Sequence, residues 1–274
     1  MREEVLYFLK MQASGNDFIL INNFAGRIAA HEGPELAWKL CRRRLSVGAD
    51  GLILIEPPKK VGNAFAWRFY NADGSEAEMC GNGGRCAARF AVEEGLAKSP
   101  LVFETLAGEI RAEVSGSRVK VELTTPKDLK LGLELLLEEK TLEAHFVNTG
   151  VPHTVILVED LEGVPVRELG RKIRYHERFL PAGTNVNFVK VEPEGRLSIR
   201  TYERGVEDET LACGTGASAA ALIAERLGLV RSPVPVKTRG GEVLIIHLEG
   251  ERISLEGEAR KIYRGYLYPE ALLG

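Results

Sequence analysis

Two cysteines, Cys80 and Cys213, stand in the same local setting, and that setting suits a reactive thiol. Each opens a glycine-rich turn, C-G-N-G at Cys80 and C-G-T-G at Cys213, ahead of a long apolar stretch of helical character. The first backbone N–H groups of a helix have no intrahelical partner, and its dipole puts partial positive charge there. A thiol at that point loses its proton more readily, and the same N–H groups can hold a carboxylate. Two such thiols suit proton transfer at a carbon beside a carboxylate. One thiolate would remove the α-proton and the other thiol would supply a proton to the opposite face. The helix-start N–H groups would stabilise the charge developing on the carboxylate. The bland alternative is that each cysteine is a small buried hydrophobe. Cys41 and Cys86 fit that alternative, since neither opens such a turn.

The elements that must position these thiols occur twice. A shift of 133 residues sets Cys80 on Cys213, Gly81 on Gly214, Gly83 on Gly216, Ala87 and Ala88 on Ala220 and Ala221, and Ala91 on Ala224. Beyond the helix it matches Gly95-Leu96 to Gly228-Leu229, Ser99-Pro100 to Ser232-Pro233, Thr105 to Thr238, and Gly108-Glu109 to Gly241-Glu242. Upstream, Glu76 meets Glu209 and Phe69 meets Tyr202. With one residue inserted, RVKVEL from Arg118 matches RISLEG from Arg252. A period this long means two homologous domains, not a solenoid. Residues 1–125 form the first and 126–261 the second, with TTPKDLKLGLELLLEEK as the joining stretch. A final strand over about 262–274 is expected to return to the first domain.

Each half reads as short strands, one helix after the cysteine, then more strands. Further helices are expected at PELAWKLCRRRL and PVRELGRKIR. The helix after each cysteine is apolar nearly all round, so it must be buried on every side. The expected fold is therefore α+β: two domains related by pseudo-twofold symmetry, each a β-barrel-like sheet wrapped round a central helix. Neither G-N-G-G-R-C nor G-T-G-A-S fits the dinucleotide fingerprint.

Composition narrows the function classes. The 274 residues carry 36 Lys and Arg against 39 Asp and Glu, a net charge of −3, which gives no basic excess for nucleic acid. Apolar runs stop short of membrane-spanning length and the N-terminal stretch MREEVLYFLKMQ lacks a signal-peptide pattern. Four cysteines are too few for a disulfide scaffold and lack C-x-x-C spacing. A cytoplasmic protein with no nucleic-acid or membrane partner is expected.

NADGSEAEMCGNGGRC, YERGVEDETLACGTGASAA, GNDF and GTNVNF resemble the diaminopimelate epimerase family, nearly end to end. The resemblance implies two similar domains, each a sheet round a central helix. It implies interconversion of LL- and meso-diaminopimelate in lysine and peptidoglycan precursor synthesis, with no cofactor and no metal. By motif, Cys80 and Cys213 would be the acid/base pair, with Cys213 accepting the proton in the biosynthetic direction. Gly81-Asn82 and Gly214-Thr215 would hold the reacting carboxylate. Asn16, Asn71 and Asn185 would bind polar ends of the substrate, Arg204 its distal carboxylate, and Glu203 an ammonium group. His153, in G-V-P-H, would sit close to the thiols, and His153 and Glu203 would support catalysis. A homodimer is the assembly this reading allows. The chain departs from some family members at Val151 and Gly51, where those have Asn and Gln.

Each residue has a plainer alternative. The three asparagines suit turns, Glu203 and Arg204 suit a surface ion pair, and His153 suits the core. His31, His145, His176 and His247 show no metal spacing. One rival keeps the fold and makes the chain a racemase for proline, hydroxyproline or another small amino acid. A second makes Cys80 and Cys213 a disulfide in a redox or non-catalytic protein. A third builds a zinc site from Cys80, Cys86, Cys213 and a histidine.

Overall fold

The computed structural model describes residues 6–138 and 141–272. In chain order the elements are β1 (Leu6–Ala13), β2 (Asn16–Asn22), α1 (Gly33–Leu40), β3 (Gly51–Glu56), β4 (Phe65–Asn71), α2 (Gly81–Glu93), β5 (Leu101–Thr105), β6 (Gly108–Ser115) and β7 (Arg118–Glu122). There follow β8 (Lys127–Leu136), β9 (Thr141–Asn148), β10 (Pro152–Leu157), α3 (Val166–Arg174), β11 (Asn185–Glu192), β12 (Arg196–Glu203), β13 (Asp208–Thr210), α4 (Gly214–Arg226), β14 (Val234–Lys237), β15 (Val243–Glu249), β16 (Arg252–Glu258) and β17 (Arg260–Leu267). They pack as two compact units. One runs to Val121 and takes in the residues from Gly257 on; the other spans Glu122–Glu256.

In the first unit the pairings run β17–β1–β2 antiparallel, β2–β3 parallel, β3–β4 antiparallel, β4–β5 parallel and β5–β6–β7 antiparallel. Helix α2 packs on β1, β2, β3 and β6, so the sheet curls round it. The second unit repeats that order as β8–β9–β10 antiparallel, β10–β11 parallel, β11–β12 antiparallel, β12–β14 parallel and β14–β15–β16 antiparallel. The short β13 adds to β12. Helix α4 packs on β9, β10, β11, β12, β14 and β15. Every residue of α4 from Gly216 to Ala224 is buried, and alanine at most of those positions lets strands approach from all sides. In α2 the buried set is Gly83 to Ala88 with Phe90 and Ala91.

The two units share details below the level of topology. Both helices end with the same closing bond: Leu96 N–H donates to Ala91 O and Leu229 N–H to Ala224 O, each at 2.9 Å. Ser99 Oγ accepts from Val114 N–H and Ser232 Oγ from Leu248 N–H, both at 2.8 Å. The acceptors are 133 residues apart and the donors 134, which locates the one-residue insertion.

Three local expectations change. The stretch read as a joining segment is mostly strand β8: Leu129, Leu131, Leu133 and Leu135 alternate with Lys130, Gly132 and Glu134, and of these leucines Leu135 is fully buried. Helix α1 stops at Leu40, short of the arginine run, where Arg44 turns to positive φ. The alignment of Phe69 with Tyr202 is one residue out, because the chain between β4 and α2 is a residue shorter than its counterpart between β12 and α4. Tyr70 is the true counterpart of Tyr202: a Cβ on Gly33 of α1 would strike Tyr70, as one on Gly170 of α3 would strike Tyr202. Each tyrosine thus sits under a glycine of the helix that covers its sheet.

Candidate active site

In the first unit Cys80 is the N-cap of α2, with extended φ −147° and ψ 119°, and its Sγ accepts from Gly83 N–H at 3.4 Å. Gly81 and Asn82 are the first two residues of the helix, where backbone donors are unpaired by the helix itself. Asn82 Oδ1 accepts from Arg85 Nη2 at 2.6 Å, and Arg85, fully buried, also bonds Ser14 Oγ at 2.7 Å and Glu258 O at 3.0 Å. A buried guanidinium therefore holds the first turn of α2 in place.

Asn16, at the start of β2, lies beside Cys80: the thiol donates to Asn16 Oδ1 at 3.8 Å. Asn16 Nδ2 donates to Asp50 Oδ2 at 2.7 Å. Asp50 is held in turn by Arg43 and by the backbone N–H of Asp17. Asp17 bonds Arg43 through both carboxylate oxygens, at 2.6 and 3.1 Å, and the buried Lys10 at 2.9 Å. Burial raises the Asp17 carboxyl, but hydrogen bonds from Arg43 and Lys10 carry it down to about 2. Asn71 is not drawn into this group. It ends β4, and its side chain closes a turn onto Ser75 Oγ at 3.0 Å.

In the second unit Cys213 is the N-cap of α4, with φ −128° and ψ 108°, and is 8% exposed. Its Sγ lies 3.5 Å from Thr215 Oγ1, and Gly214 and Thr215 open the helix. Thr149 Oγ1 donates to Thr215 O at 3.1 Å and Ser218 Oγ to Gly214 O at 2.9 Å. His153, on β10, places Nε2 2.9 Å from Thr215 Oγ1 and Nδ1 3.1 Å from Asn187 Nδ2. Burial, with the nearby Arg204 charge, drops the His153 pKa to about 3, so the imidazole is neutral at pH 7.

Asn185, at the start of β11, accepts from Arg204 N–H at 2.8 Å and donates to Pro152 O at 3.0 Å, which fixes the backbone on which Arg204 stands. Arg204 Nη1 bonds Ala182 O at 3.0 Å. Burial raises the carboxyl of Glu203, against a hydrogen bond with Thr210. The second unit therefore gathers Cys213, Gly214, Thr215 and His153 around one helix start, with Asn185 paired to His153 and bonded to Arg204, and Glu203 next to Arg204 in the chain; the first gathers Cys80, Gly81, Asn82 and Asn16 around the other.

The duplication is broken at the asparagines. Parallel register pairs Phe18 with Gly51 in the first unit and His153 with Asn185 in the second. Asn16 thus corresponds to Val151, and Asn185 to Gly51. Gly51 admits no side chain, because a Cβ there would lie 2.5 Å from Phe69 and 2.8 Å from Tyr70 O. Each unit supplies one asparagine from a different strand.

Cys41 and Cys86 are structural. Both are buried, and burial pushes both thiols up to about 12. Sequence reasoning missed Lys10, Asp17, Arg43 and Asp50 around Asn16, and Asn187 and Thr201 behind His153.

Comparison with known proteins gives the family. The Diaminopimelate epimerase family model matches residues 8–128 and 145–262. The diaminopimelate epimerase of Hydrogenobaculum sp. (strain Y04AAS1) is 51% identical over 268 residues, covering 94% of this chain and 97% of that protein. That of Aquifex aeolicus (strain VF5) is 48% identical over 283 residues, covering 97% and 99%. Among solved structures, a hydroxyproline epimerase from Agrobacterium vitis with bound trans-4-OH-L-proline matches with a TM-score of 0.69 at 16% identity, over 98% of this chain and 94% of that one. At that identity the likeness concerns the fold, which is the α+β fold of these epimerases. The chain belongs to the diaminopimelate epimerase family.

Proposed function

We propose that this enzyme interconverts LL- and meso-diaminopimelate in lysine biosynthesis, and that Cys80 and Cys213 move the α-proton. The observation that carries the reading is that both cysteines are N-caps of buried helices in matching positions of two repeated units. A carbon acid beside a carboxylate needs a base to take its proton and an acid to return one to the other face. A thiolate and a thiol supply that pair. Backbone N–H groups of Gly81, Asn82, Gly214 and Thr215 suit the reacting carboxylate, whose negative charge grows as the proton leaves. Arg204 suits the distal carboxylate as a bidentate donor, and Glu203 an ammonium group. Asn16 and Asn185 suit polar ends of the substrate; Asn71 joins them in this proposal through the backbone turn it closes with Ser75.

The proposed chemistry requires reduced thiols, a condition that the cytoplasm maintains, so the cytoplasm is the proposed compartment. No helix among the described residues is long and apolar enough to cross a membrane. A homodimer is proposed through β17, which leaves Ile262, Tyr263 and Tyr266 about half exposed, with Tyr268 beyond it. Sedimentation at monomer mass would overturn that assembly.

The test of function is α-proton exchange followed by NMR. Reduced protein is incubated in D₂O with LL-diaminopimelate, with no cofactor or metal added, beside Cys80→Ala and Cys213→Ala variants. Deuterium at one α-carbon with meso product, lost in either variant, is the expected result. Exchange with proline alone would move the substrate to that of a small-amino-acid racemase. No exchange with either would sink the enzymatic reading.

A further inference from the structure

The polar groups behind Cys213 form a chain whose direction can be deduced. Thr154 O can only accept a hydrogen bond, so the Asn187 atom 3.0 Å from it is the amide nitrogen. That same nitrogen lies 3.1 Å from His153 Nδ1. The other end of the amide, Oδ1, accepts from Thr201 Oγ1 at 3.0 Å. Asn187 is fully buried, and all three partners agree on its orientation. His153 Nδ1 is therefore an acceptor. The single proton of the neutral ring then resides on Nε2, because the bond made by one imidazole nitrogen sets the state of the other. Nε2 donates to Thr215 Oγ1 at 2.9 Å, which leaves the threonine's own proton free to point at Cys213 Sγ, 3.5 Å away.

We propose that Asn187 is a positioning residue for this site: by holding His153 in its Nε2–H form, it turns the Thr215 hydroxyl proton onto Cys213 and makes that sulfur a hydrogen-bond acceptor. Donation to sulfur favours the thiolate over the thiol. The first unit is wired the other way. Asp50 accepts from Asn16 Nδ2, so Asn16 presents its oxygen to Cys80, and that oxygen favours the thiol that donates to it. The counterpart of Asn187 in the first unit is Ile53, by the same register that pairs Gly51 with Asn185, and an isoleucine cannot extend a relay. By their side-chain partners the two halves thus lean to opposite resting roles, base at Cys213 and acid at Cys80, with Gly83 N–H a donor that opposes this at Cys80. That consequence rests on the two-thiol reading; the direction of the relay does not.

Two measurements without substrate test the relay. In protein labelled with ¹⁵N-histidine, long-range ¹H–¹⁵N correlation reports the tautomer of each ring, and His153 is identified by the signals missing from His153→Gln. The expected result is a protonated Nε2 and a bare Nδ1. Asn187→Asp offers Nδ1 only an acceptor and should move the proton to it. The second measurement is the pH profile of iodoacetamide alkylation at Cys213, read by mass spectrometry. Thr215→Val should shift its midpoint upward by about one pH unit, a tenfold loss of thiolate below the midpoint. Thr215→Ser, which keeps the hydroxyl, should restore the profile. A wild-type His153 protonated on Nδ1, or a Thr215→Val profile that coincides with wild type, would overturn the proposal. The threonine pair suffices if Asn187→Asp fails to fold. A protein with the relay intact but no exchange of diaminopimelate protons would sink the functional reading alone.

Discussion

Replacing Gly216 and Gly83 by alanine, each in turn, puts one methyl group at matching points of the two central helices. The consequences should differ sharply. A Cβ on Gly216 would overlap Asn187 Oδ1 and lie 3.3 Å from both Asn187 Cγ and Cys213 Cβ. Asn187 cannot retreat without giving up Thr201, Thr154 or His153, all held at 3.0–3.1 Å. Overpacking costs about 1–3 kcal/mol and a buried amide stripped of a partner about 1–3 kcal/mol more. The helical gain of alanine over glycine returns about 1 kcal/mol. Gly216→Ala should therefore lose about 1–5 kcal/mol, which for units of this size lowers Tm by roughly 3–15 °C. A Cβ on Gly83 meets only the end of Ile53, at 3.3 Å, with Cys80 Cβ and Trp67 at 3.5 Å. The Ile53 methyl can swing aside, so Gly83→Ala should stay within about 1 kcal/mol of wild type. Thermal and urea unfolding of both variants decide the matter. Adding Asn187→Ala to Gly216→Ala should recover part of the loss, since the new methyl then occupies vacated space. Equal midpoints for the two glycine variants would refute the tight placement of Asn187.

Alkylation of the native protein at pH 8 should modify Cys80 and Cys213 and spare Cys41 and Cys86, whose thiols burial holds up near 12; peptide mapping reads this directly. The folded Asp17 carboxyl titrates near 2 against an ordinary 3.8, so its contribution to stability is complete above about pH 4 and is lost as pH falls towards 2. Urea midpoints between pH 5 and 2 should fall more steeply for wild type than for Asp17→Asn. Arg200 grips Glu209 through two bonds of 2.7 and 2.8 Å and also bonds Leu161 O and Val164 O. Arg200→Lys cannot reproduce that fork and should cost about 2–3 kcal/mol by denaturation; no loss would show the fork to be dispensable.

The repeat was legible because the helix starts carry it in unusual residues: cysteine, paired glycines and an alanine run seldom coincide by chance. Strand β8 was legible too, through leucines at every second position from Leu129 to Leu135, but the proline and charges around it outweighed that period. The polar relay was harder. Asn185 and Asn187 are two apart on one strand and so face the same side, in a segment otherwise made of Val and Phe. That pair was the available signal. Nothing in the sequence pointed to Thr201, since a threonine on a strand is ordinary. Asp50 was equally silent. Its role depends on the parallel pairing of β2 with β3, which brings it to Asn16 across 34 residues of chain. The Phe69–Tyr202 mismatch shows the limit of ungapped alignment: an offset of one residue reverses the face on which a strand residue lies.

Strand β17 has a consequence for the order in which the molecule can be completed. In the second unit the strand beside β9 is β8, its immediate predecessor in the chain. In the first unit the equivalent place beside β1 is taken by β17, about 250 residues later. As the chain leaves the ribosome, the second unit has all its strands before the first has its last one. Until then β1 presents an open edge to other nascent chains. The usual progression, in which the N-terminal domain finishes folding while the rest is still being made, is reversed. Loss of the final dozen or so residues to a premature stop codon would therefore leave the nearer half folded and strike the half that was translated first.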